Sequence, residues 1–200
     1  MVVKRGDNMF STIRYVFFLV LFIGLFVGYL LKRKSNQSIT VKKLVLFIVA
    51  FVLVTTVSNL IPVENAFITF SSPEEAYNYF DSADVEIVVE GEKSALIIAD
   101  GNIHKIVPKS AGGWKIGMGL DSKKEKEKIY NGYWIFVFNY KKTDEKYIMV
   151  SSSDKKIIDI TDSVGSVFYN SDDSRYSYAY IKDYDNTYTV NVNGEGILLN

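Results

Sequence analysis

The chain has 200 residues, 23 Lys/Arg against 23 Asp/Glu, one histidine and no cysteine. That is enough chain for a buried core, and it excludes disulfides, thiolate nucleophiles and cysteine-ligated zinc. The zero net charge hides a division, because residues 1–63 carry a net of +7 and residues 64–200 a net of −7. An acidic C-terminal part lacks the basic patch that phosphate neutralisation requires, which excludes nucleic acid as its partner.

From the N-terminus, a short tail (1–14) precedes two runs without ionisable residues, 15–31 and 44–63, each near the roughly 20 residues that cross a bilayer. Between them, residues 32–43 carry Lys32, Arg33, Lys34, Lys42 and Lys43 with no acid. Cytoplasmic loops carry such an excess, so these five residues are expected to set topology. The reading is a two-helix transmembrane hairpin in the cell membrane, with the 1–14 tail outside, the 32–43 loop inside and residues 64–200 forming an acidic extracytoplasmic domain. A cleaved signal peptide is the competing reading of the first run. It is disfavoured by the length of the run, its bulky end at Tyr29, Leu30 and Leu31, and the Lys-Arg-Lys that follows. Gly24 and Gly28 form a G-x-x-x-G pair on one helix face. This spacing suits packing of the hairpin's own helices, a homodimer or a protein partner met through the transmembrane helices. Neither run holds an Asp, Glu, Lys, Arg or His, so no proton relay or ion path is expected.

Ser72, Pro73 and Glu75 then spell a capped helix start, with proline at the first helical position and a glutamate placed to close a capping box, and the helix is expected to reach Phe80. Beyond it the chain reads as short strands at 85–89, 95–99, 103–107, 114–117, 133–140, 147–150, 157–160, 166–169, 176–181 and 188–192. Asp100-Gly101, Asn131-Gly132 and Asn193-Gly194 supply the residue types that tight hairpins need. Residues 133–140 are apolar on both faces apart from Asn139, the pattern of a central strand covered on both sides. Lys123 to Lys128, the run KKEKEK, is expected to be a solvated loop. The fold class is therefore a mainly-β (α+β) domain of antiparallel meander sheets with one short N-terminal helix, following the hairpin.

Catalytic constellations are sparse. His104 could be a general base, but a single histidine with no nucleophile motif is more often a half-exposed strand residue. Asp183, Asp185 and Asn186, with Asp172 and Asp173 on the preceding loop, offer oxygen ligands for calcium, but the glycine and distal glutamate of an EF-hand loop are missing and these residue types are ordinary in turns. No metal and no cofactor is expected. Tyrosines crowd the last third, and Tyr176, Tyr178 and Tyr180 alternate, so on a strand they share one face. Exposed, that face would be a platform for glycan, peptide or protein; covered, it would be core packing with wet hydroxyls.

Phe70-Ser71-Ser72-Pro73-Glu74-Glu75-Ala76-Tyr77, followed by Val88-Val89-Glu90-Gly91, resembles small membrane proteins of low-GC Gram-positive bacteria that carry no assigned function. The resemblance implies a cell-membrane location and an outward-facing domain, and it carries over no catalytic residue. The expected function is that of a membrane-anchored extracytoplasmic binding, sensing or accessory domain with Tyr176, Tyr178 and Tyr180 as its ligand-binding candidates. The alternatives are an envelope-acting enzyme using acidic residues or His104, and a structural subunit of a membrane complex.

Overall fold

The computed structural model describes residues 9–32, 41–60, 62–81, 83–101, 103–117, 122–141 and 143–199. Two helices, α1 (Met9–Lys32) and α2 (Val41–Leu60), pack on each other. Phe22 of α1 meets Phe51 of α2 edge-on at 5.2 Å between ring centroids, and Phe26 meets Phe47 at 5.4 Å. Phe22, Phe26 and Tyr29, spaced for one helical face, supply these contacts. Gly24 and Gly28 do not, since a Cβ on either would meet nothing within 4 Å.

The structure does not bear out the transmembrane hairpin expected from the sequence. Among the described residues no helix is long and apolar enough to cross a membrane. The uncharged part of α1 starts after Arg14, and α2 ends at Leu60, leaving Pro62 and Val63 beyond it. Each uncharged helical stretch thus rises about 25 Å at 1.5 Å per residue, short of a hydrocarbon core roughly 30 Å thick. The multi-pass membrane location, the partners met through membrane-embedded helices, and the role of Lys32, Lys42 and Lys43 in orienting a span fall with it. Arg33 and Lys34 lie outside the described residues. Lys43 instead sits over the Tyr29 ring at 5.8 Å.

From Pro62 onward the chain is tied to the β-rich part. The Asn65 side chain donates to the Ile116 carbonyl and accepts from its N–H, and Lys115 Nζ donates to the carbonyls of Asn65 and Ile68. The helix α3 (Pro73–Asn78) begins as its sequence dictates: Ser72 Oγ accepts from the Glu75 N–H at 3.1 Å. Glu75 reaches back one residue further than a simple capping box, to the N–H and hydroxyl of Ser71. These hydrogen bonds hold its carboxyl below the usual range.

Among the described residues, twelve strands then form three antiparallel sheets. The first has the order β1 (Val85–Glu90), β2 (Ser94–Ala99), β3 (Ile103–Ser110), β4 (Gly113–Trp114). The second has the order β5 (Ser122–Tyr130), β6 (Tyr133–Tyr140), β7 (Glu145–Ser152), β10 (Tyr176–Ile181), β9 (Phe168–Asn170). The third has the order β12 (Glu195–Leu198), β11 (Thr189–Val192), β8 (Ile160–Asp162). Residues 123–128, expected as a loop, are instead part of β5, an edge strand whose alternating charges discourage pairing with another chain. The segment after Asn193-Gly194 forms β12, a strand beyond those expected.

The sheets stack in layers with α3 outermost. Every residue of β2 is buried, and its period of two divides it between two cores. Ala95, Ile97 and Ala99 face Ala76 and Tyr77 of α3, while Leu96 and Ile98 face Tyr147, Met149 and Tyr178 of the second sheet. The opposite face of the second sheet, with Ile135, Val137, Ile148, Val150 and Ala179, packs on Val190, Val192 and Ile197 of the third. Each fully buried Ile or Val stabilises by about 1.5–3 kcal/mol relative to an exposed one, so the second sheet, covered on both sides, is the energetic centre of the domain.

Candidate functional site

Strand pairing sets which side chains line up on the face of the second sheet that looks toward the first. Tyr176, Tyr178 and Tyr180 do share that face, and registers across β10, β7, β6 and β5 extend it into rows. One row runs Tyr180, Tyr147, Phe138; the next runs Tyr178, Met149, Phe136, Glu127; the last runs Tyr176, Ser151, Trp134, Ile129. Tyr169 of β9 lies opposite Tyr178 and ends the middle row.

Coverage changes along this face. Tyr147 and Tyr178 are buried in the core shared with the first sheet, and Tyr180 packs at its side. The Tyr178 hydroxyl lies 3.3 Å from Nε2 of His104, whose ring also approaches Phe138 at 6.0 Å. Burial holds the His104 pKa below its ordinary value and pushes the tyrosines up. Nearby, Glu145 closes a buried polar clamp. It accepts from the Lys93 N–H at 2.7 Å and from the Ser94 hydroxyl at 2.5 Å, and Ser94 Oγ is also 2.7 Å from the Tyr147 hydroxyl. Gly91 is required beside it, because a Cβ there would come within 2.7 Å of the Tyr147 hydroxyl oxygen.

At the other end the first sheet no longer covers the face. Trp134 is 48% exposed, Ile129 60% and Tyr169 44%, while Tyr176 and Phe136 are half-buried. These five side chains form an apolar and aromatic shelf on a rigid sheet. Its floor is held by the Asn131-Gly132 turn, with φ of 46° and 84°, which fixes Ile129 directly opposite Trp134. Lys124 pairs with Glu127 and lies over the Phe136 ring, and Arg175 pairs with Asp173 at 3.8 Å.

The sequence-expected ligand residues are thus split. Tyr178, 1% exposed, is core, Tyr180 packs half-buried against Tyr147, and Tyr176 reaches the shelf. The tyrosine pattern did not point to Trp134 and Ile129. Their signal was the Asn131-Gly132 hairpin, whose register places them opposite each other once residues 123–128 are read as a strand.

The chemistry available elsewhere is limited. Ser94 is fully buried and Glu145 nearly so, which leaves no substrate access to the clamp. Asp173 and Asp185 each accept hydrogen bonds within their own turns, from Ser171 and Arg175 and from Thr187. Among the described residues no group of three or more His, Asp or Glu could hold a metal ion. No protein-family model, no curated protein and no solved structure matches the chain.

Proposed function

We propose that this chain is a non-enzymatic binding or sensing protein whose β-rich part meets its ligand on the shelf formed by Ile129, Trp134, Phe136, Tyr169 and Tyr176. The observation that carries this reading is the exposure of an indole and an isoleucine directly opposite each other, with a tyrosine exposed at the far edge of the same, otherwise buried, aromatic face. Large aromatic side chains held on a sheet offer much contact area while losing little conformational freedom on binding. An enzyme acting through His104 would need that ring to converge with reachable acids, whereas its neighbours here are Tyr178 and Phe138.

The two tryptophans provide the test, since Trp114 is buried and only Trp134 faces solvent. Tryptophan emission of the full chain is titrated with pentalysine, with pentaglutamate and with the neutral glucan cellopentaose, using Trp134→Phe as the blank. A saturable change with any of the three, absent in the variant, supports a binding shelf. Silence to all three overturns it.

A further inference from the structure

Resting on that reading, we infer that the shelf takes a cationic peptide segment, one Lys or Arg side chain lying over the Trp134 indole with neighbouring basic groups facing the acidic rim. Three observations select this chemistry over a neutral or acidic ligand.

The first is the chain's own use of its rings. Lys109 lies over Trp114 at 4.8 Å, Lys155 over Tyr133 at 5.1 Å, Lys146 over Tyr184 at 4.5 Å and Lys124 over Phe136 at 5.3 Å. Among the described residues no lysine or arginine lies over Trp134, Tyr169 or Tyr176, although tryptophan presents the strongest ring for a cation. The second is the rim. Glu127 is in register with Phe136, and Asp172 and Asp173 form the turn between β9 and β10, next to Tyr176. The basic groups beside them, Lys124 and Arg175, are already engaged with Glu127 and Asp173. Asp172 has no ion pair among the described residues. The third is the charge of the part that carries the shelf: residues 64–200 hold a net of −7, balanced by +7 on residues 1–63, so within the β-rich part cationic segments are favoured over acidic ones.

A basic segment is therefore matched twice, by the face of the indole and by the field around it. A neutral sugar would use the ring but not the carboxylates. Simple charge attraction would use the carboxylates but not the ring.

Calorimetric titration of the full chain with pentalysine separates these cases. The expected result is saturable binding that weakens about fivefold in Trp134→Leu, which keeps apolar bulk but removes the π face. A similar loss is expected in Asp172→Asn, and further weakening when salt is raised from 50 to 300 mM. Trp134→Leu should keep the thermal midpoint of the parent, which shows that the loss is not one of folding. Equal binding by Trp134→Leu reduces the effect to non-specific attraction and overturns the inference. Binding of cellopentaose with none of pentalysine overturns the cationic assignment and leaves the shelf standing. No response to either peptide or to the glucan removes both.

Discussion

Two ends of one sheet face carry the same kinds of residue and have opposite fates. At the covered end Tyr147, Tyr178 and Tyr180 pack against the first sheet around a buried clamp of Ser94 and Glu145. At the open end Trp134, Ile129 and Tyr169 face solvent. Nothing in β10 itself separates Tyr176 from Tyr178, since they alternate on one strand with rings 6.5 Å apart and nearly parallel. The difference is made by whether another layer lies above. An aromatic stripe on a strand therefore states that a face exists, and only the extent of the neighbouring sheet decides whether that face is core or surface.

Truncating an aromatic residue at each end tests directly whether the two ends differ. Tyr178→Ala should destabilise the domain by about 3–5 kcal/mol, the range for emptying a large buried aromatic site. It should also release His104 from its hydroxyl partner. Equilibrium urea unfolding measures the loss, and a cost below 1 kcal/mol would mean that the two sheets do not depend on this contact. Glu145→Ala comes next, at about 1–3 kcal/mol, because it takes the acceptor from the Lys93 N–H and leaves the buried Ser94 hydroxyl with Tyr147 alone. Gly91→Ala should cost about 1–3 kcal/mol through overpacking. The added carbon would press on the fully buried Tyr147, whose hydroxyl has little room to retreat.

How far the sequence reaches is visible in the same elements. The Asn131-Gly132 and Asn193-Gly194 turns, the Ser72 cap and the shared face of Tyr176, Tyr178 and Tyr180 were all legible, because each is decided by residues within a few positions of one another. Strand β5 was not, since KKEKEK offers no apolar period and its strand form comes from pairing with β6. Trp134 was read as part of a doubly covered strand, and its exposure follows from where the first sheet stops, which no local pattern records. The helices were misjudged for a different reason. Hydropathy counted Ile61, Pro62 and Val63 into the second run, but α2 ends at Leu60 and Val63 starts a 3-10 turn held by Glu64 and Asn65.

A smaller effect is expected from pH at the covered end. His104 is packed between Tyr178, Phe138 and its cross-strand neighbour Ile98, and the charges of Glu86 and Asp173 act on its partner Tyr178. Burial disfavours its charged form, so its folded pKa lies below the 6.5 of the unfolded chain. The folded state then binds fewer protons than the unfolded one, and stability is lost as pH falls through 6.5 toward the folded value. Hydrogen bonds lower the pKa of Glu75, Asp162, Asp173 and Asp185, though burial of Asp162 opposes them; stability is present above their ordinary values of 4.5 and 3.8 and lost below, a separate window. Unfolding measured at pH 7.5 and 5.5 should therefore show a drop in the parent that His104→Phe removes. An identical drop in both would place the acid sensitivity outside the inter-sheet core.

The smallest expected effect is the most telling about function. Trp134→Ala removes the largest side chain of the open end, yet about half of it is already in water. Its cost should stay below about 1 kcal/mol, as for surface substitutions away from buried networks. Set against the loss of several kcal/mol at Tyr178, that value would mean that the domain holds an indole in place without needing it for stability. The affinity of the shelf is then where its contribution should appear. A cost as large as that of Tyr178→Ala would instead make Trp134 part of the core, and the two ends of the face would no longer differ.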